Sequence, residues 1–175
     1  MRKSNKTTRY SIGLVLVAGI ATCMSAAAKD GKPAPSPLHL TYLVGEEPVT
    51  LVNGVSDVVK RGPRSVERTY MLGLPVYGDL DRDGDKDAVV VLVHESDGME
   101  FFHLAAALRG RHGFIGGEAM LLGARISQPV VTLQDDGIRV DFRAHHEDES
   151  LDDPPTWKRS LKLTLRGLSL HEPPH

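Results

Sequence analysis

Five aspartates alternate along one short stretch of the chain, at Asp79, Asp81, Asp83, Asp85 and Asp87, with Gly84 directly after the third. Carboxylates in this pattern suit a hard divalent cation. Ca²⁺ takes about six to eight oxygens at about 2.3–2.6 Å, and a short loop supplies them only by wrapping around the ion. Side chains at the first, third and fifth loop positions converge on one centre, and a glycine at the sixth permits the sharp turn that a Cβ would obstruct. Those positions are Asp79, Asp81, Asp83 and Gly84. The Asp85 carbonyl and the Asp87 carboxylate are the expected further ligands. Electrostatics points the same way, since two like charges about 4 Å apart repel by roughly 1 kcal/mol even in bulk water. Only Arg82 and Lys86 stand among the five acids, and a bound divalent ion removes the conflict.

The twelfth loop position is Val90, where a helix–loop–helix calcium site needs a bidentate glutamate, and no helical pattern flanks the loop. A strand–loop–strand setting is therefore expected. Other candidates for chemistry are weaker. His94, His103 and His112 recur at equal spacing but fall in different segments, and a transition-metal site needs converging geometry as well as ligand types. The run His145, His146, Glu147, Asp148 and Glu149, continued by Asp152 and Asp153, reads as a solvated polar loop with a second cation site as its alternative. Trp157, the only tryptophan, is expected in the core. No G-x-S-x-G elbow, H-E-x-x-H helix or phosphate-cradling glycine pattern is present, so no enzyme class is indicated. A hydrolase with a dispersed active site stays open, because triads are defined by geometry and not by sequence order.

The elements that position the loop read as short strands joined by tight turns. Leu40 to Leu43, Val49 to Val52 and Val66 to Leu72 are apolar or β-branched runs, the second ended by Asn53-Gly54 and the third by Gly73-Leu74-Pro75. Ala88 to Val93 is continuously apolar and predicts a central strand buried on both faces. Met99 to Leu108 is ambiguous, because its Leu104 to Leu108 portion has helical propensity, while the turn flanked by Gly110 and Gly113 before Phe114 suggests a hairpin instead. Phe114 to Leu122 reads as one strand, Val130 to Leu133 and Ile138 to Phe142 as a hairpin about Asp136-Gly137, and Leu161 to Arg166 as a last half-buried strand. The expected fold is mainly β, with antiparallel sheets forming a sandwich or open barrel in one domain.

The N-terminus carries a different message. Arg2, Lys3, Lys6 and Arg9 precede an apolar run from Ile12 to Ile20, and small residues follow to Ala28, so residues 1–28 read as a secretory signal peptide. The run is well short of the roughly 20 residues that span a bilayer. Residues 29–37 hold three prolines and read as a tether, 38–170 as the β domain, and 171–175 as a tail. Removing the four basic residues of the leader moves the formal charge from −2 to −6, a balance without the basic stripe expected of nucleic-acid binding. The cluster of Lys60, Arg61 and Arg64 reads as solvated surface. The single cysteine, Cys23, follows Ile20-Ala21-Thr22 and is a lipidation candidate, so the chain is expected to be periplasmic or secreted, or held to a membrane through a lipid anchor there.

The stretch from Pro75 to Val93, with its aspartate loop, resembles the core of small exported bacterial proteins of uncharacterised function, often lipoproteins. Phe101 to Ala106 and Leu121 to Gly123 match the segments that follow in those proteins, and the loop itself is similar to the calcium loops of integrin-type FG-GAP blades. Ala124 and Pro154-Pro155-Thr156 depart from the pattern, where relatives often carry an aspartate and cysteines. The resemblance implies no reaction. The expectation is a non-catalytic envelope domain with structural Ca²⁺, the alternative being a module that binds or inhibits an envelope partner.

Overall fold

The computed structural model describes residues 36–59 and 66–174. The leader over 1–28 with Cys23, nearly all of the tether over 29–37, and the Lys60, Arg61 and Arg64 cluster lie outside these residues. A 3₁₀ turn at Pro37–His39 leads into strands β1 (Thr41–Val44), β2 (Glu47–Thr50), β3 (Val55–Val59), β4 (Val66–Gly78), β5 (Asp87–Ser96) and β6 (Met99–Gly110). There follow β7 (Gly113–Gly116), β8 (Glu118–Ala124), β9 (Val130–Gln134), β10 (Gly137–Ala144), β11 (Trp157–Arg166) and β12 (Ser169–His171). The fold is mainly β and forms one domain, as the sequence predicts.

The larger sheet has the order β2-β1-β8-β6-β5-β4-β3, with β7 paired to β6. Its β1–β8 contact is parallel, and the other ladders among the described residues are antiparallel. The sheet curls until its ends nearly meet. Gly54 N–H donates to Leu38 C=O at 2.8 Å and Met71 N–H to Gly54 C=O at 2.8 Å, so the segment after β2 links the approach to β1 with β4. The interior of this near-barrel holds Tyr42, Leu51, Val90 and Leu92 against Ala88, Ala105, Ala107 and Ala119. Alanines there leave room for the larger side chains opposite. This fit explains why Leu104 to Leu108 is strand despite its helical propensity, for β5 holds it on one side and β8 and then β7 on the other.

A second sheet of order β12-β11-β10-β9 covers one outer face of the barrel. Val89, Val91 and Val93 of β5 and Phe102, Leu104 and Ala106 of β6 pack there against Ile138, Val140, Phe142, Leu161 and Leu163. β5 is thus buried on both faces over most of its length. Two sequence expectations need correction. The Gly73-Leu74-Pro75 run does not end a strand; β4 shifts register between Leu72 and Val76 and continues to Gly78. Gly73 supplies the positive φ of that bulge, and Pro75, with no N–H, suits its unpaired position. The Phe114 to Leu122 run breaks in two, because at Gly117 the chain passes so close to the second sheet that a Cβ would lie 2.0 Å from the Leu168 carbonyl oxygen.

Candidate metal site

The aspartate loop is the connection between β4 and β5, closed by the facing pair Gly78 and Asp87. It sits against the second sheet at Gly78, where a Cβ would meet Leu133 Cδ1 at 2.4 Å. Within the loop Arg82 and Gly84 adopt φ of 66° and 92°, turning the backbone back on itself. Short-range hydrogen bonds fix the result. Asp83 N–H donates to Asp81 Oδ1 at 3.1 Å, Asp85 N–H to Asp83 Oδ1 at 2.8 Å, and Gly84 N–H to Asp79 Oδ2 at 3.2 Å.

Asp79, Asp81 and Asp87 each offer one carboxylate oxygen within 4.8 Å of the others. Two oxygens bound to one Ca²⁺ at about 2.4 Å are at most about 5 Å apart, so the three side chains fit a shared hard cation. Asp83 and Asp85 lie outside this group among the described residues. Asp79 and Asp81 are exposed, whereas Asp87 has no exposed surface. Partial desolvation within the loop, and after it the neighbouring charges of Asp87, Asp83 and Asp79, hold the exposed Asp81 carboxyl above its ordinary value, against the lowering effect of the Asp83 N–H. Arg82 relieves little of this crowding, since its guanidinium donates to the Asp135 carbonyl at 3.3 Å in the β9–β10 turn. Loop and turn enclose an open cavity of about 580 Å³ lined by Asp79, Arg82, Asp136 and Thr164 among others.

Sequence spacing misses a second role of Asp87. Its Oδ2 accepts the Leu80 N–H at 2.9 Å and its Oδ1 accepts the Arg109 N–H at 2.8 Å. The carboxylate therefore ties the start of the loop to the end of β6 while retaining lone pairs for an ion. An aspartate at a strand's first position, followed by an unbroken apolar run, is the only sequence signal of that burial.

Of the three histidines, the structure brings His94 and His103 to one cavity and leaves His112 apart. His94 and His103 lie diagonally on β5 and β6, with Leu92 facing His103 and Phe101 facing His94. Both line a cavity of about 430 Å³ at one end of the barrel, with Thr69, Phe101 and Leu121. Thr69 Oγ1 and His94 Nδ1 are 2.9 Å apart, and His103 Nδ1 is 3.2 Å from the Phe101 carbonyl oxygen. Burial pushes the His103 imidazole below its ordinary value. His112 is exposed in the turn beyond the other end of β6.

The polar loop is mostly exposed, as a solvated charge run is, and local hydrogen bonds tie it together. Glu149 accepts the His146 N–H at 3.0 Å and the Thr156 hydroxyl, and Arg125 pairs with Asp152 at 2.6 Å. His145 Nε2 lies 3.1 Å from the Arg125 carbonyl oxygen. Glu147, Asp148 and Asp153 are exposed. Trp157 is not a core residue: it is 41% exposed and stacks on His146 with ring centroids 5.0 Å apart, because it opens β11 at the sheet's end. No protein-family model, curated protein or solved structure matches the chain.

Proposed function

We propose that this chain is an exported, non-catalytic β domain of the bacterial envelope in which the aspartate loop binds Ca²⁺ as a structural brace. The observation that carries the reading is the convergence of Asp79, Asp81 and Asp87 within 4.8 Å from a nine-residue span. Asp83 and Asp85 are the neighbouring oxygen donors available to complete the shell. A bound ion would supply positive charge where carboxylates crowd, and so favour the folded loop. Export rests on the leader-like residues 1–28, and anchoring on Cys23.

The effect follows mass action. An ion bound only by the folded chain adds RT ln(1 + [L]/Kd), about 1.4 kcal/mol at ten times Kd. For a domain of this size that raises the melting temperature by about 3–6 °C. With Kd in the range of extracellular modules, about 10⁻⁴–10⁻³ M, millimolar calcium is the working concentration. A thermal melt with chelator and with 10 mM-scale calcium tests it; the rise is expected in the wild type and absent in Asp81→Ala. Identical melts of the wild type under both conditions would overturn the proposal.

A partner-binding module is the second reading, favoured by the cavity at the barrel end, where exposed Leu121 lies beside buried Thr69 and His103. Retention of an envelope protein by the wild type and not by Leu121→Asp supports it; equal retention by both refutes it.

A further inference from the structure

The outer face of the second sheet carries cations against the acidic balance of the whole chain. The β10–β11 ladder places Arg139 opposite Lys162 and Arg143 opposite Lys158, and like charges directly opposite in a sheet are destabilising. The two pairs are treated differently. Arg139 is bound by Asp141 at 2.9 Å and Lys162 by Asp136, so the first pair is neutralised within the fold. Arg143 and Lys158 have no carboxylate within 4.0 Å among the described residues. The Arg143 guanidinium gives a single hydrogen bond, to the Thr156 carbonyl oxygen at 3.3 Å.

This uncompensated pair borders a shallow groove of about 440 Å³ lined also by Arg139, Arg159, Ser127 and Gln128. Asp141 is the one acid on it among the described residues, and Ser160 and Arg139 hold that carboxylate. Arg139 and Asp141 occupy each other and Arg159 lies over the Phe142 and Trp157 rings, which leaves Arg143 and Lys158 as the cations free to meet a ligand. Guanidinium groups present forked donors that match the two oxygens of a carboxylate, sulfate or phosphate. The occupant is narrowed by what surrounds the charges. The Trp157 ring is engaged by His146 and Arg159, so it offers no open platform for nucleobases. Val130 alone among the lining residues is a strongly exposed aliphatic side chain, too little to seat in a bilayer. Gln128 adds a neutral polar side chain suited to sugar hydroxyls, and Ser127, whose Oγ accepts the Arg143 N–H at 2.7 Å, keeps its hydroxyl hydrogen to donate.

We propose that this groove binds an anionic glycan, with Arg143 and Lys158 holding its acidic substituent. The probe is polygalacturonate, measured by calorimetry with the full folded domain at low ionic strength, with the methyl-esterified polymer as its neutral counterpart. The wild type is expected to bind the acid polymer and not the ester. R143Q/K158Q should weaken binding at least about tenfold, since each charge-assisted hydrogen bond lost is worth about that factor or more. R143K/K158R should retain it, as should R68Q/R111Q, which removes the same charge elsewhere on the surface. No binding by the wild type, or undiminished binding by R143Q/K158Q, overturns the proposal. So does equal binding to phosphatidylglycerol vesicles or single-stranded DNA, which would identify a membrane or a nucleic acid as the occupant.

Discussion

Replacing Asp87 with asparagine separates the aspartate that holds the fold from those that only crowd the loop. Asparagine keeps the shape and one acceptor oxygen, but it turns an NH₂ toward one of two backbone amides that Asp87 receives, Leu80 N–H at 2.9 Å or Arg109 N–H at 2.8 Å. The side chain has no exposed surface, so water cannot replace the missing acceptor. A hydrogen bond to a charged group is worth about 1.5–3 kcal/mol, and a buried donor left unsatisfied costs about 1–3 kcal/mol. These figures overlap in part, and the expected loss is about 3 kcal/mol. Urea denaturation in chelator reads it directly, and the melting temperature should fall by about 6–12 °C. Asp81→Asn, on an exposed residue, should change the same calcium-free measurement little. A loss below about 1 kcal/mol for Asp87→Asn, no larger than that for Asp81→Asn, would refute the assignment of Asp87 as a buried tie.

The remaining predictions concern titration and packing. Asp81 holds its proton more tightly folded than unfolded, so its contribution to calcium-free stability falls as pH rises from the ordinary carboxylate value through the raised one. Asp81→Asn should flatten that part of a urea stability profile taken in chelator between about pH 3 and 6. His103 is shifted the opposite way, so its contribution is present above the ordinary imidazole value and is lost as pH falls through the lowered one. His103→Gln should remove that acid-side loss, and the imidazole resonance of His103 should titrate below that of a free imidazole. Gly117→Ala forces a Cβ to within 2.0 Å of a backbone oxygen, and the overpacking should cost about 1–3 kcal/mol, read as a lower melting temperature.

What the sequence discloses follows the range of the forces involved. Ala88 to Val93 announces a strand buried on both sides because every residue in it is apolar, and Ile138 to Phe142 announces a one-sided strand by alternation. The nearly closed barrel is not written in any such local pattern. It depends on the parallel contact of β1 with β8 and on the Gly54 bridge to Leu38 and Met71, both joining distant segments. Trp157 illustrates the same limit, since its hydrophobicity is legible but its place at the open end of β11 is set by the loop before it. In the loop, spacing puts forward Asp79, Asp81, Asp83, Asp85 and Asp87 together, and the structure gathers the carboxylates of Asp79, Asp81 and Asp87 alone among the described residues. The separate engagement of Asp83 with the Asp85 amide depends on turn geometry that alternation does not encode.

The convergence of carboxylates and the burial of Asp87 belong to one arrangement. A flexible loop would have to order three acidic side chains on meeting an ion, and that ordering would oppose binding. Here Asp87 is already oriented by two amides from opposite sides, and Asp79 by the Gly84 amide. Gly84 reaches that position because its φ of 92° is open to glycine and strained for other residues. All three oxygen donors, Asp81 through the Asp83 amide included, are thus set by backbone hydrogen bonds that persist without a cation. Asp81 differs in its pKa, which is raised first by desolvation and then by the charges of Asp87, Asp83 and Asp79. Positive charge at this loop would therefore act mainly on Asp81, and through Asp87 its effect would reach the end of β6, while Arg82 connects the same loop to the second sheet. This linkage is why a cation held by two exposed aspartates and the buried Asp87 would stabilise the whole domain and not merely its own loop.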